Sequence, residues 1–177
     1  GADMAKGAPG IPCIITGTVR DLDGKPVGNA MLDLWQTDGE GLYEAQIGKD
    51  QYMRGVYHAR ADGTYNVRTV APIGYTIPMD GPVGDLMGRT KISHMRPAHI
   101  HFAVSAPGYK TVITHLFQRG GDYIETDVVF GVKEPLIVDF VKKDAGKASS
   151  GETLATPFYE VKYDFVLVKA AKAQQAA

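Results

Sequence analysis

The stretch Arg96-Pro97-Ala98-His99-Ile100-His101-Phe102 alternates polar and apolar side chains over its last four residues. Successive side chains of a β-strand point to opposite faces, so this alternation predicts a strand with its two histidines on one face. The isoleucine and the phenylalanine would then face a core on the other side. Two residues along a strand span about 7 Å, which brings both imidazoles within reach of one metal ion. The proline favours an extended conformation for Arg96, and so a fixed position of its guanidinium near such an ion.

Strand patterns continue on both sides of this stretch, along most of the chain. Strands are predicted at 14–20, 31–36, 56–60, 64–70, 99–105, 112–117, 136–141 and 161–168. The turn Ala61-Asp62-Gly63 predicts that the third and fourth of these form a hairpin. Short strands at this spacing, with weak helical signals, predict an all-β fold, an antiparallel β-sandwich with Trp35 in its core. The segment 74–97 is rich in Gly and Pro and is predicted to be a long active-site loop, because loops of that length are usually functional.

The composition limits the classes of protein to which the chain can belong. Its 177 residues are enough for one well-buried core, and its 19 basic and 20 acidic residues leave a net charge of -1. A nucleic-acid-binding protein would carry a basic excess, and a membrane protein would have longer apolar runs. Gly1 to Gly10 do not resemble a signal peptide, and the lone Cys13 fits a reducing compartment. We therefore predict a single cytoplasmic domain over residues 1–177, with a frayed tail at 170–177 and no nucleic-acid or membrane partner.

Two tyrosines follow glycine-containing turns, from which a side chain can point inward. They are Tyr43 in Gly41-Leu42-Tyr43, and Tyr75 in Pro72-Ile73-Gly74-Tyr75-Thr76-Ile77-Pro78. Taken alone, either would usually be a packing residue with a hydrogen-bonded hydroxyl. The two strand histidines also leave the metal undecided, because three other histidines could complete a zinc site: His58, His94 and His115.

The combination of these spaced tyrosines with Arg-Pro-Ala-His-Ile-His at 96–101 resembles the catalytic domain of the intradiol dioxygenases, the catechol and hydroxyquinol 1,2-dioxygenases. The resemblance covers nearly the whole chain, from Ala8 to Val168. It implies an Fe(3+) ion held by two tyrosines and two histidines, namely Tyr43, Tyr75, His99 and His101. It also implies that Arg96 contacts the substrate, a small catecholic molecule whose ring is cleaved with O2.

The chemistry of these ligands suits the implied reaction. Ferric iron is a hard cation, and phenolate is a hard anionic oxygen ligand. A phenol ionises only near pH 10 in water, so the metal ion must stabilise the phenolate at neutral pH. By the same resemblance, Tyr75 is the ligand that leaves when the substrate binds and takes one of its protons, while Tyr43 stays bound. Arg96 would stabilise the charge that develops on the substrate ring.

Two positions depart from the catechol-type members of the family. His115 lies where those enzymes often have glutamine, and it could keep a catalytic hydrogen-bonding role or be a strand histidine without one. Val128 lies where they tend to have a bulkier aromatic residue, and the space it leaves would accept a third hydroxyl. We therefore expect Val128 to contact the substrate, and hydroxyquinol (benzene-1,2,4-triol) to be preferred over catechol. The product would be of the muconate or maleylacetate type.

Family members with two domains carry a helical segment before the catalytic region, and this sequence lacks it. The chain is then either a short enzyme or the catalytic part of a longer one. The substrate pocket should be more open without that segment. Homo-oligomerisation stays open, because a dimer built through those helices cannot be assumed.

Three other interpretations of the sequence stay open. The first is a catechol 1,2-dioxygenase, and the second is a zinc hydrolase that uses His99, His101 and a third histidine. The third is a non-catalytic transthyretin-like β-sandwich, a class that shares the spacing Gly24-x-Pro26-Val27 followed by Gly63-x-Tyr65. A spacer of that class has no need of the tyrosine, arginine and histidine set, which favours the dioxygenase interpretation.

Overall fold

Short strands make up most of the regular elements in residues 3–170, the part of the chain that the structure, a computed structural model, describes. The strands are β1 (Pro12–Asp21), β2 (Met31–Trp35), β3 (Arg54–His58), β4 (Thr64–Val70), β5 (Tyr75–Thr76), β6 (Met95–Arg96), β7 (His99–Ser105), β8 (Val112–Gln118), β9 (Ile137–Val138), β10 (Val141–Lys143), β11 (Gly146–Lys147), β12 (Thr153–Leu154), β13 (Phe158–Lys162) and β14 (Phe165–Leu167). The helices are α1 (Glu44–Ile47) and α2 (Pro82–Gly88), with 3-10 turns at Ile124–Thr126 and Glu134–Leu136. None of the helices in these residues has the length and apolar content needed to span a membrane.

The first sheet is built around β1 and has the order β10-β13-β1-β14, with β4 also paired to β1. β4 runs antiparallel to β1, whereas β13 and β14 run parallel to it. The chain passes from β13 to β14 directly over Gly17, where an added Cβ would lie 1.7 Å from the carbonyl oxygen of Tyr163. Only glycine fits this crossing, so Gly17 marks the point at which β1 changes its parallel partner.

The second sheet has the order β3-β2-β7-β8-β9, and its pairs are antiparallel except for β8 with β9. On its central strand β7, the side chains of Ile100, Phe102 and Val104 are fully buried in the core between the two sheets. β1 and β4 supply that core from the other side, with Ile15 and Val67 among its buried residues. Because side chains alternate along a strand, the histidines of β7 point to the opposite face, away from this core.

The predicted all-β sandwich is confirmed, with three corrections. The sheets are mixed and not purely antiparallel, because β9, β13 and β14 each run parallel to a neighbour. The predicted hairpin is wrong: β3 pairs with β2 and β4 pairs with β1, so the turn Ala61-Asp62-Gly63 carries the chain from one sheet to the other. The core position of Trp35 is also wrong. Its ring is half-buried on the face of β2 opposite the buried Leu32 and Leu34.

Residues 74–97 form a long excursion whose two ends meet. β5 and β6 pair at these ends with Tyr75 opposite Arg96, and α2 lies between them in the chain. This backbone pairing holds a tyrosine from the loop next to the arginine that precedes β7. The predicted long loop therefore brings two candidate site residues together.

The C-terminal tail that is predicted to fray, residues 170–177, falls almost wholly outside the described residues. Only Ala170 is described, and its N–H donates to the carbonyl oxygen of Gly108 at 2.8 Å. Fraying of this tail therefore stays a prediction.

Candidate active site

Two imidazoles meet at the start of β7. The Nε2 atoms of His99 and His101 lie 3.1 Å apart, because both side chains point to the same face of the strand. The Nδ1 of His99 is 2.7 Å from the carbonyl oxygen of Pro97, to which it donates. This hydrogen bond leaves the lone pair on Nε2 of His99, the arrangement in which a histidine binds a metal ion. Trp35 stacks on His101, with ring centroids 4.7 Å apart and planes 11° from parallel, and so restrains the orientation of that imidazole.

Tyr43 and Tyr75 bring their hydroxyls to this point from two separate loops. Tyr43 immediately precedes α1, and its loop is held by Asp38, whose carboxylate accepts from the N–H of Leu42 at 3.0 Å. Gly41 in the same loop has a φ of +82°, and a Cβ there would lie 3.1 Å from the Cβ of Tyr75. Glycine therefore permits the close approach of the two loops. The tyrosine hydroxyl oxygens are 3.0 Å apart, and that of Tyr43 is also 3.0 Å from the Nε2 of His101.

These four donor atoms fit the ligand set of one metal ion. Their separations are 3.0, 3.0 and 3.1 Å along the series Tyr75, Tyr43, His101 and His99. Neighbouring ligands about 2.1 Å from one ion stand roughly 3 Å apart, which agrees with this spacing. The single lone pair of His99 Nε2 has two neighbours in this cluster, the Nε2 of His101 and the Nη1 of Arg96 at 3.0 Å. Two oxygens and two nitrogens that converge in this way suit a transition-metal centre.

The ionisation of these groups favours metal binding near neutral pH. Burial, followed by the charge of Arg96, lowers the pKa of His99 to about 3. Burial, followed by the nearby His99, lowers the pKa of His101 to about 2. Both imidazoles are therefore neutral at pH 7, the state in which they bind metals. Burial, followed by the neighbouring Tyr75, raises the pKa of Tyr43, so its phenolate forms only where a cation stabilises it.

Arg96 is buried beside this set and forms an ion pair with Asp127. Its Nε donates to Oδ1 of Asp127 at 3.1 Å, and its Nη1 lies 3.0 Å from the Nε2 of His99. Burial opposes the charged form, but Asp127 and Tyr75 outweigh it and raise the pKa of the guanidinium. The Nη2 atom is buried and has no hydrogen-bond partner within residues 3–170. An unpaired buried donor is costly unless water or a ligand meets it.

His115 lies opposite His101 on the neighbouring strand β8 and belongs to the same cluster. The ring centroid of His115 is 4.4 Å from that of His101 and 5.3 Å from that of His99. The ligand atoms of the three histidines all lie within 4.8 Å of one another. Burial lowers the pKa of His115, which favours its neutral form. The other two candidates, His58 and His94, are exposed and are not part of this cluster.

Val128 lies two residues after the 3-10 turn Ile124–Thr126. Its N–H donates to the carbonyl oxygen of Met95 at 3.1 Å, which ties this loop to β6 and so to the strand that carries Arg96. The side chain of Val128 is half-buried. Its contact with a substrate stays a prediction.

Two residues of the site were missed by the sequence analysis. Trp35 could have been identified, because it alternates with two leucines that face the core and must therefore lie on the face that carries the histidines. Asp127 offered no local signal, since its partner Arg96 is 31 residues away in the chain.

Comparisons with known proteins agree with this arrangement. A family model described as Dioxygenase matches residues 2–169. The chain is 42% identical over 169 residues to 6-chlorohydroxyquinol 1,2-dioxygenase of Cupriavidus pinatubonensis. The aligned region covers 94% of this chain and 57% of that protein. Its fold matches the crystal structure of hydroxyquinol 1,2-dioxygenase from Pseudomonas putida DLL-E4 with a TM-score of 0.87 at 37% identity, over 96% of this chain and 60% of that one. The structure of catechol 1,2-dioxygenase from Acinetobacter sp. ADP1 matches with a TM-score of 0.87 at 32% identity, over 96% of this chain and 56% of that one.

The chain thus spans between 56% and 60% of the length of these relatives, while the relatives span nearly all of the chain. The family match includes both sheets and the two loops that carry the tyrosines. Sequence, fold and family model agree, and the chain belongs to the intradiol ring-cleavage dioxygenase family.

Proposed function

We propose that this protein is a non-haem iron dioxygenase that cleaves the ring of a catechol-type substrate with O2. A ferric ion would be held by Tyr43, Tyr75, His99 and His101. The observation that carries the proposal is the convergence of two hydroxyl oxygens and two imidazole nitrogens, spaced 3.0–3.1 Å, from three separate parts of the chain. Membership of the intradiol family supports the assignment of iron to this set.

The donor set suits ferric iron on chemical grounds. Phenolate oxygen is a hard ligand for a hard trication, and imidazole binds several transition metals. No thiolate competes, since the single cysteine of the chain, Cys13, is buried in the core. When bound, ferric iron would draw electron density from a catecholate and make its ring reactive towards O2.

Arg96 would contact the substrate through its guanidinium and stabilise the negative charge that develops on the ring. Charge-assisted hydrogen bonds are strongest where water is excluded, and Arg96 is only 6% exposed. Asp127 and Tyr75 hold its pKa above the usual value despite burial, so the guanidinium is charged at neutral pH. Its guanidinium therefore offers a fixed positive charge beside the donor set.

The two tyrosines would have different roles. Tyr75 lies on a two-residue strand in the long 74–97 excursion, and its Oη would take one proton from an incoming substrate hydroxyl. Tyr43 would stay in place, because its hydroxyl also contacts His101. His115, a neutral imidazole beside His101, would hold a hydrogen bond at the edge of the site.

Hydroxyquinol is the substrate that we favour, and catechol is the alternative. The relatives include enzymes named for each, and those named for hydroxyquinol or its 6-chloro derivative are the more similar in sequence. Val128 supports this choice, because an isopropyl group in place of an aromatic ring leaves room for a third hydroxyl. That hydroxyl also needs a polar partner, so space alone gives a preference and not exclusion.

An oxygen electrode tests the activity. Iron-loaded protein should consume O2 and hydroxyquinol in equimolar amounts without an added reductant, and should form a ring-opened dicarboxylic acid. Catechol should turn over more slowly in the same assay. A protein shown to contain iron that consumes no O2 with either substrate would refute the proposed activity.

A zinc hydrolase is the second candidate, because three imidazoles with ligand atoms within 4.8 Å of one another offer a zinc ligand set. It would leave both tyrosines without a role at the metal, and its site would be colourless. A non-catalytic transthyretin-like sandwich would also be colourless and would need none of the set. A red-brown protein that contains iron supports the dioxygenase against both.

Three predictions about the whole protein accompany this proposal. They are a cytoplasmic location, a single catalytic domain over residues 1–177, and small molecules as the ligands, with no nucleic-acid or membrane partner. Homo-oligomerisation stays open and is measurable by light scattering.

A further inference from the structure

The Asp127 carboxylate is a buried acceptor for three donors. Asp127 is 5% exposed, and its Oδ1 accepts from the Nε of Arg96 at 3.1 Å. Its Oδ2 accepts from the N–H of Gly131 at 2.9 Å, and Oδ1 also accepts from the N–H of Val129 at 3.4 Å. Burial opposes ionisation, but Arg96 and the backbone donors outweigh it and lower the pKa of Asp127, so the carboxylate is charged.

The same carboxylate therefore joins Arg96 to the loop 127–131. A further hydrogen bond closes this loop, from the N–H of Phe130 to the carbonyl oxygen of Asp127 at 2.9 Å. Phe130 adopts a φ of 53°, which is uncommon for a residue other than glycine, although its side chain is 82% exposed. A loop that holds such a residue needs fixed contacts at both ends, and Asp127 provides them.

The three nitrogens of the guanidinium have separate surroundings. The Nε of Arg96 faces Asp127, and its Nη1 faces His99. Nη2 has no hydrogen-bond partner in the part of the chain that the structure describes, and it faces Gly131, where a Cβ would lie 3.5 Å from it. Because Asp127 holds Nε, the orientation of the planar guanidinium is set, with Nη1 towards the donor set and Nη2 towards Gly131.

We propose that Asp127 is a positioning residue of this site, which holds the guanidinium of Arg96 beside the donor set, where it faces the substrate, and which fixes the loop that carries Val128. The inference rests on the proposed function, because it assigns Arg96 the role of contacting the substrate. Arginine has several rotatable bonds, and a single fixed partner at Nε removes most of that freedom before the substrate arrives. A purely structural ion pair would stabilise the fold in the same way but would not orient the guanidinium towards the substrate.

Two substitutions and a matched control separate these roles. Asp127→Ala removes all three acceptor contacts, whereas Asp127→Asn keeps the volume and one acceptor oxygen, and so remains informative if the alanine variant does not fold. Asp139→Asn is the control, because Asp139 accepts from the Nε of Arg119 at 2.9 Å in a largely exposed pair. We expect Asp127→Ala to lower kcat by roughly 10- to 100-fold, as misplacement of a reacting group by about 1 Å does, with the iron content unchanged. Asp127→Asn should lower it less, and Asp139→Asn should leave it unchanged.

The decisive test is to repeat Asp127→Ala in an Arg96→Ala background. If Asp127 acts through Arg96, the two losses in kcat should not multiply, because the second substitution removes a partner that is already missing. Full multiplication of the two losses, in proteins with normal iron content, would overturn the inference.

Hydrogen exchange in the metal-free protein tests the role of Asp127 independently of catalytic activity. In metal-free protein, the Arg96 Nε–H and the amides of Val129 and Gly131 should exchange with solvent faster in both Asp127 variants than in the native chain. Unchanged exchange would overturn the positioning role. If the native chain proves inactive, the proposed function fails, while this exchange comparison still decides whether Asp127 holds Arg96 and its loop.

Discussion

The two faces of β7 should respond to substitution in opposite ways. Ile100 is fully buried in the core, while His101, the next residue, is half-buried and points to the proposed metal-ligand set. Ile100→Ala removes three buried carbons, about 2.4 kcal/mol at roughly 0.8 kcal/mol for each. The cavity left behind adds to this, so we expect the free energy of unfolding to fall by about 2–5 kcal/mol. His101→Ala removes a proposed metal ligand but no core contact, and should cost about 1 kcal/mol, as an average substitution does.

Urea unfolding of the metal-free proteins measures these losses, and metal analysis of the iron-loaded proteins measures binding. Ile100→Ala should keep the native iron content per folded chain, and His101→Ala should lose most of it. Equal destabilisation by the two substitutions, or loss of iron from the Ile100 variant alone, would show that the faces of β7 are not divided between core and metal as described.

Three other predictions concern the site itself. Arg96→Ala should keep iron and colour but lose turnover by roughly 100- to 1000-fold, and loss of the metal with normal activity per iron would contradict the role of Arg96. Tyr43→Phe should shift or bleach the visible band in an absorption spectrum, while Tyr57→Phe, in the core, should leave it intact. Val128→Phe should lower the ratio of kcat/KM for hydroxyquinol to that for catechol, within the roughly 1–3 kcal/mol that apolar pockets provide, and an unchanged ratio would show that Val128 does not line the pocket.

Alternation along single strands was the most informative property of the sequence. It correctly divided His99 and His101 from Ile100 and Phe102, because a strand has a strict period of two and one of its faces meets a dry core. The same rule applied to β2 would have placed Trp35 with the histidines. The general preference of tryptophan for buried positions led to the wrong expectation.

The pairing between strands was harder to predict from the sequence, because it depends on contacts between residues that are distant in the chain. A good turn at Ala61-Asp62-Gly63 predicted a hairpin, yet β3 pairs with β2 and β4 pairs with β1, so the turn connects the two sheets. The parallel strands β13 and β14 need a crossing that only Gly17 permits, and no local pattern marks it. For the same reason the Arg96–Asp127 pair was not foreseen, whereas family resemblance had already grouped the four metal-ligand candidates.

The visible absorption spectrum of the purified protein, combined with its metal content, tests the central claim most directly. If Tyr43 and Tyr75 bind ferric iron together with His99 and His101, the protein should contain about one iron per chain and show a broad phenolate-to-iron band. That band should change when a catecholic substrate is added without O2. Stoichiometric zinc in a colourless protein would contradict the claim.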